Sequence, residues 1–148
     1  MKYFSTRNSN EKVSASWAIS HGLAPDGGLY VPESLPQFSL DDIINLGKSD
    51  YRGRAFGIMK PFLDEFTEDE LKAMILRAYG DNFDSADTAP VHFLDEKTAV
   101  LELWHGPTCA FKDMALQMLP HLLTASLKKC GEQRKACILV ATSGDTGK

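Results

Sequence analysis

Lys135-Ala136-Cys137-Ile138-Leu139-Val140-Ala141-Thr142 is a continuous apolar run of strand length. Runs of this kind mark strands buried on both faces of a sheet. Upstream, residues 113–129 carry Met114, Gln117, Met118, His121, Leu122 and Ala125 at helical spacing. Pro120, in the middle of that helix, should kink it. Before the helix, residues 98–104 read as a strand. Strand, helix and buried strand make a βαβ unit, and so the opening of a parallel sheet in an α/β fold. A parallel strand buried on both faces wants neighbours on both edges. The chain stops six residues after the run. The expectation is therefore a leading part of a longer protein, with the sheet completed elsewhere.

The remainder of the chain has a different character. Val91-His92-Phe93-Leu94 reads as a strand joined to 98–104 by the turn Asp95-Glu96-Lys97. His92 has no partner nearby and reads as an ordinary strand residue. The first 95 residues read mainly as short helices joined by turn-rich loops. Residues 13–21 suggest a helix stopped by Gly22. Ser39 suits an N-cap for a helix over 40–46, with Asp41 and Asp42 in its first turn. Thr67-Glu68-Asp69-Glu70 is a capping box, followed by Leu71, Met74, Ile75 and Ala78 on one face and Gly80 as a C-cap. Ala24-Pro25-Asp26-Gly27-Gly28 is a turn by its chemistry, leading into a short strand at 29–31 that Pro32 ends. Two units are expected, 1–95 mainly helical and 96–148 opening the sheet.

Composition narrows the class. The 148 residues are 43% hydrophobic and 24% charged, with a net charge of -4. That is globular rather than disordered. The acidic balance argues against nucleic-acid binding. No apolar run approaches the ~20 residues of a membrane-spanning helix. The one basic cluster, Lys128, Lys129, Arg134 and Lys135, suits a helix C-terminus. Cys109, Cys130 and Cys137 lack metal-ligand spacing, and reduced cytosolic thiols are the default. Cys109 has no visible base beside it and so reads as no nucleophile.

Two constellations carry chemistry. His105-Gly106-Pro107-Thr108-Cys109-Ala110-Phe111-Lys112-Asp113 links a strand to a helix. Lys112 falls at the helix start, where the dipole is already positive. Either it faces solvent, partly neutralised by Asp113, or its pKa is lowered and it can form a Schiff base with a carbonyl. His105 either contacts a substrate anion or caps the turn. The second constellation is Ala141-Thr142-Ser143-Gly144-Asp145-Thr146-Gly147. A buried strand running into small and hydroxyl residues before a helix is either a ready anion site, which its free N–H groups, glycines and hydroxyls favour, or a plain strand-to-helix turn. A nucleotide phosphate loop ending in Gly147-Lys148, and with it a nucleotide-phosphate-binding domain, is a further alternative that the motif disfavours, because position 142, where it needs glycine, is threonine.

Together with Tyr3, Ser5-Thr6-Arg7 and the stretch from Gly22 through Pro25-Asp26-Gly27-Gly28-Leu29-Tyr30-Val31 to Pro32, these motifs resemble the threonine synthase family. Its members are pyridoxal-phosphate enzymes of the tryptophan-synthase-β fold group. The resemblance runs the length of the chain. Many members have Phe where Trp104 stands and Leu where Cys109 stands, and neither change touches the chemistry. The resemblance implies that Lys112 forms the Schiff base with pyridoxal 5'-phosphate. It implies that Asp145 lies near the cofactor's phenolic oxygen, and that Ser143, Gly144, Thr146 and Gly147 bind the substrate carboxylate. His105 and Thr108 would line the substrate pocket. The implied reaction is a cytoplasmic lyase step converting O-phospho-L-homoserine and water to L-threonine and phosphate. The family's cradle for the cofactor phosphate is expected beyond residue 148, so the chain alone is expected to bind the cofactor weakly and to be inactive. The competing reading is a non-catalytic α/β fragment that self-associates through open strand edges.

Overall fold

The structure, a computed structural model, describes residues 1–144, 146 and 147. It opens with a small antiparallel sheet in which β1 (Tyr3–Ser5) lies between β2 (Asn8–Val13) and β3 (Tyr30–Pro32). The strand expected at 29–31 is thus present, one residue later. The turn before it is pinned by Asp26, whose carboxylate accepts from Ser5 Oγ at 2.7 Å and from the Gly28 amide at 2.8 Å. These bonds hold the Asp26 carboxyl below the usual carboxylate range, the Ser5 hydroxyl contributing most. Gly28 has no room for a side chain: a Cβ there would sit 2.1 Å from Ser5 Oγ.

The helices follow from local capping. α1 (Ala15–His21) starts at Ser14, whose side chain accepts from the Trp17 amide, and stops at Gly22 with φ 72. Glu65 caps it from outside, accepting from the Ser16 amide and hydroxyl. A carboxylate is favoured at that positive helix end. α2 (Leu40–Gly47) has a capping box between Ser39 and Asp42. α3 (Tyr51–Met59), capped by Asp50, was not anticipated. α4 (Glu68–Ala78) has the expected Thr67–Glu70 box and buries Leu71, Met74, Ile75 and Ala78. Its C-cap is Tyr79, not Gly80. The Tyr79 ring is buried in the core and its hydroxyl donates to the Met114 carbonyl at 2.7 Å, which fixes the helix exit.

Next comes a two-stranded antiparallel hairpin of β4 (Val91–Phe93) and β5 (Ala99–Leu101), with His92 opposite Val100. The helix expected over 113–129 is broken into α5 (Asp113–Leu116) and α6 (Leu119–Lys129). Pro120 does not kink a continuous helix; it lies in the first turn of α6. A missing N–H has no intrahelical partner to lose there. α6 packs on α1, and Lys129 at its end pairs with Glu70 of α4 at 3.4 Å. The core gathers Leu63, Phe66, Leu71, Met74, Ile75 and Met118 between these helices.

The expected strand at 135–142 does not form. Ile138, Leu139 and Val140 are exposed, Leu139 by 90%. All strand pairing among the described residues is antiparallel, so the βαβ unit is not closed. A parallel strand depends on ladder partners and covering layers distant in sequence. Among the described residues the 135–142 segment has neither. The architecture is mixed α and β, with small antiparallel sheets.

Candidate active site

The turn between β5 and α5 is built around Asp113. This carboxylate is 1% exposed. One of its oxygens accepts from both the Thr108 amide and the Thr108 hydroxyl at 2.9 Å each. Its other oxygen accepts from Gln117 Nε2 at 3.3 Å. Gly106 lies against it so closely that a Cβ would sit 2.5 Å from the Asp113 Cβ. The Cys109 amide closes the turn onto the Gly106 carbonyl at 3.0 Å, with Cys109 in the left-handed region at φ 55. Asp113 therefore staples the turn rather than simply offsetting the charge of its neighbour. Its place at the first helical position was the one available sign, since acids favour that end.

Lys112 is the N-cap of α5 and makes no side-chain capping bond. Its half-buried side chain projects elsewhere, and Nζ donates to Thr146 Oγ1. Lys112 and Thr146 are 34 residues apart, and their contact brings the two motifs together at the lysine amine. In the 143–147 loop, Gly144 has φ 145 and its amide reaches Thr142 Oγ1 at 3.4 Å. That backbone geometry favours glycine. The Gly147 amide donates to the Gly144 carbonyl at 3.2 Å. Ser143 is exposed, and Gly144 and Thr146 are half-buried. Asp145 lies outside the described residues.

Thr108 directs both its amide and its hydroxyl proton to Asp113, so its oxygen is left as an acceptor. His105 is held on both sides. Nε2 is 2.7 Å from Glu102 Oε2, and Nδ1 meets Asp84 Oδ1. Both carboxylates raise the imidazole pKa above its ordinary value, Glu102 first. Asp84, 21 residues upstream, carried no sequence signal. Nor did Asn82, which donates to Gln117 at 2.9 Å and so ties the loop after α4 to α5.

All three cysteines are free and exposed. Among the described residues, no cluster of three His, Cys, Asp or Glu side chains could hold a metal ion. No helix among them is long and apolar enough to cross a membrane.

The threonine synthase of Pseudomonas aeruginosa is 43% identical over 148 residues, covering 99% of this chain and 31% of that protein. The crystal structure of threonine synthase from Escherichia coli superposes with a TM-score of 0.85 at 36% identity, covering 99% of this chain and 32% of that one. A crystal structure of PLP-bound threonine synthase from Brucella melitensis gives a TM-score of 0.83 at 38% identity, over 88% of this chain and 28% of that one. This chain thus spans about a third of the length of the curated threonine synthases it matches. A family profile described as threonine synthase N terminus matches residues 2–79, slightly over half of the 148. The chain belongs to the threonine synthase N-terminus family.

Proposed function

We propose that this chain is the N-terminal portion of a pyridoxal-phosphate-dependent lyase. In the full-length protein it would help convert O-phospho-L-homoserine and water to L-threonine and phosphate. The contact between Lys112 Nζ and Thr146 Oγ1 carries this reading, because it sets a half-buried amine against the loop assigned to substrate. The residues present suit the aldehyde end of the cofactor. They offer a primary amine at a helix start, facing a hydroxyl on a glycine-bearing loop. The PLP-bound Brucella relative supports the choice of cofactor. When bound, pyridoxal phosphate supplies an electron sink for negative charge at the substrate's α- and β-carbons.

Lys112 would hold the cofactor through Nζ until the substrate's amine displaces it, and the freed Nζ would then take and return the protons at those two carbons. Thr146 orients Nζ by accepting its hydrogen bond. Ser143, Gly144, Thr146 and Gly147 receive the substrate carboxylate, and Thr108 lines the pocket. Asp145 is assigned to the cofactor's phenolic oxygen. Residues 1–95 form the mainly helical unit, and residues 96–148 open the cofactor domain. The rest of the protein completes the parallel sheet there, with 135–142 as one strand. The enzyme works in the cytoplasm.

The test is spectroscopic. Full-length protein mixed with pyridoxal phosphate shows a visible absorption band that Lys112→Ala abolishes while the far-UV circular dichroism stays the same. A wild-type protein without the band, or a variant that retains it, overturns the reading. The isolated 148-residue chain binds the cofactor weakly and is inactive, because the phosphate cradle lies beyond it. A second reading is favoured by the exposed Ile138, Leu139 and Val140 and by the open edges of the β4–β5 pair. In it, the isolated chain self-associates through the β4–β5 edges and the exposed 138–140 segment. A compact monomer on size exclusion removes that reading.

A further inference from the structure

We propose that His105 is a positioning residue for Lys112, an imidazolium clamped between Asp84 and Glu102 that pins the turn aiming the amine, and that it does not itself touch substrate. This rests on the reading of Lys112 given above. A carboxylate can only accept hydrogen bonds, so a ring bonded to carboxylates through both nitrogens donates from both and carries a positive charge. Nδ1 faces Asp84 and Nε2 faces Glu102. The ring has no donor left for a substrate anion. The local sum is one cation against two carboxylates, which repels a carboxylate or phosphate rather than attracting it. Among the described residues these are the two charged groups that act on the ring. Trp104 lies alongside it, with ring centroids 5.7 Å apart and planes at 28°.

The clamp also has a route to the amine. Asp84 grips residue 105 twice, since its amide donates to the His105 carbonyl at 3.0 Å. The next residue, Gly106, is wedged against Asp113, and Asp113 holds Thr108 and precedes the rest of α5. A shift of residue 105 therefore passes through Gly106 to Asp113 and then to Lys112, its neighbour in the chain. Of the two anchors, Glu102 is the better shielded, with its side chain 22% exposed against 75% for Asp84. Water screens the Asp84 contact more strongly.

Two measurements test this. In the 148-residue chain without cofactor, long-range proton–nitrogen NMR of His105 shows both ring nitrogens protonated at neutral pH. The titration midpoint lies above that of a free histidine and falls more in Glu102→Gln than in Asp84→Asn. A ring with one bare nitrogen and an ordinary midpoint overturns the clamp. In the full-length enzyme, His105→Gln lowers kcat by about 10- to 100-fold, as a misplaced catalytic group does, with KM for the phosphorylated substrate little changed. Glu102→Gln keeps the ring in place and moves the alkaline loss of kcat to lower pH. A rise in KM of about 10-fold or more at unchanged kcat means that His105 binds substrate, and overturns this proposal alone when Lys112→Ala still abolishes the cofactor band. Persistence of the band in Lys112→Ala overturns the parent reading and this one with it.

Discussion

Replacing Gly106 by alanine isolates the packing of the turn, because it adds one carbon at a known place. That carbon would lie 2.5 Å from both the Asp113 Cβ and Oδ2, and 2.8 Å from its Cγ. Comfortable contact between carbons needs ~3.5 Å, so something must move by about 1 Å. Asp113 is the first residue of α5 and fully buried, so it cannot swing into solvent. Its displacement strains the two 2.9 Å bonds from Thr108. Overpacking of this kind costs about 1–3 kcal/mol, and a buried group left short of a partner adds about 1–3 kcal/mol. The expected destabilisation is therefore about 2–6 kcal/mol. Gly47→Ala is the control, since nothing lies within 4 Å of a Cβ there. It should be neutral or stabilise by up to about 1 kcal/mol. Urea titration followed by far-UV circular dichroism measures both, and the Thr108 amide resonance reports the turn directly. A Gly106→Ala protein within about 0.5 kcal/mol of wild type, with that resonance unmoved, would refute the wedge.

Thr67→Ala removes one arm of the α4 capping box and should lower stability by about 1 kcal/mol in the same titration. Leu71, 0% exposed in the core, should cost about 2–5 kcal/mol as Leu71→Ala; a loss below that range would mean the core collapses around the gap. Burial pushes the Tyr79 hydroxyl up to about 12. Folding therefore favours its neutral form, and this contribution is intact below the ordinary tyrosine value and lost as pH rises from about 10 to about 12. Ultraviolet titration of wild type against Tyr79→Phe should show one tyrosine ionising last. For His105, raised by Glu102 and Asp84, the contribution is present below the ordinary histidine value and fades as pH climbs through the elevated one. Unfolding midpoints across that window should lose this pH dependence in His105→Gln.

What the sequence made legible was local. Thr67 and Glu70 lie three residues apart, and the apolar face of α4 follows at once, so cap and core face are both visible in one short window. α3 was hidden because Gly53 and Gly57 interrupt its pattern. The β1–β2 pair was hidden because Asn8–Val13 is polar and does not alternate. The run at 135–142 has the composition of a buried strand, yet composition supplies no ladder partner. At the site, the turn, the lysine and the glycine-bearing loop announced themselves as motifs. Their mutual contact through Thr146, and the hold of Asp84 on His105, join residues far apart in the chain and belong to tertiary structure alone.

The break between α5 and α6 has a mechanical consequence. α6 is bolted to α1, while the amine rides on a separate stub of a single turn. A stub that short gives the large helix almost no leverage over the direction of Lys112. Damage to the α1–α6 seam should therefore weaken the scaffold without swivelling the amine. Damage to the small anchors around Asp113 should do the reverse. Substitutions across the chain would then sort into two families, those that melt the protein and those that leave it standing with its reactive nitrogen misaimed.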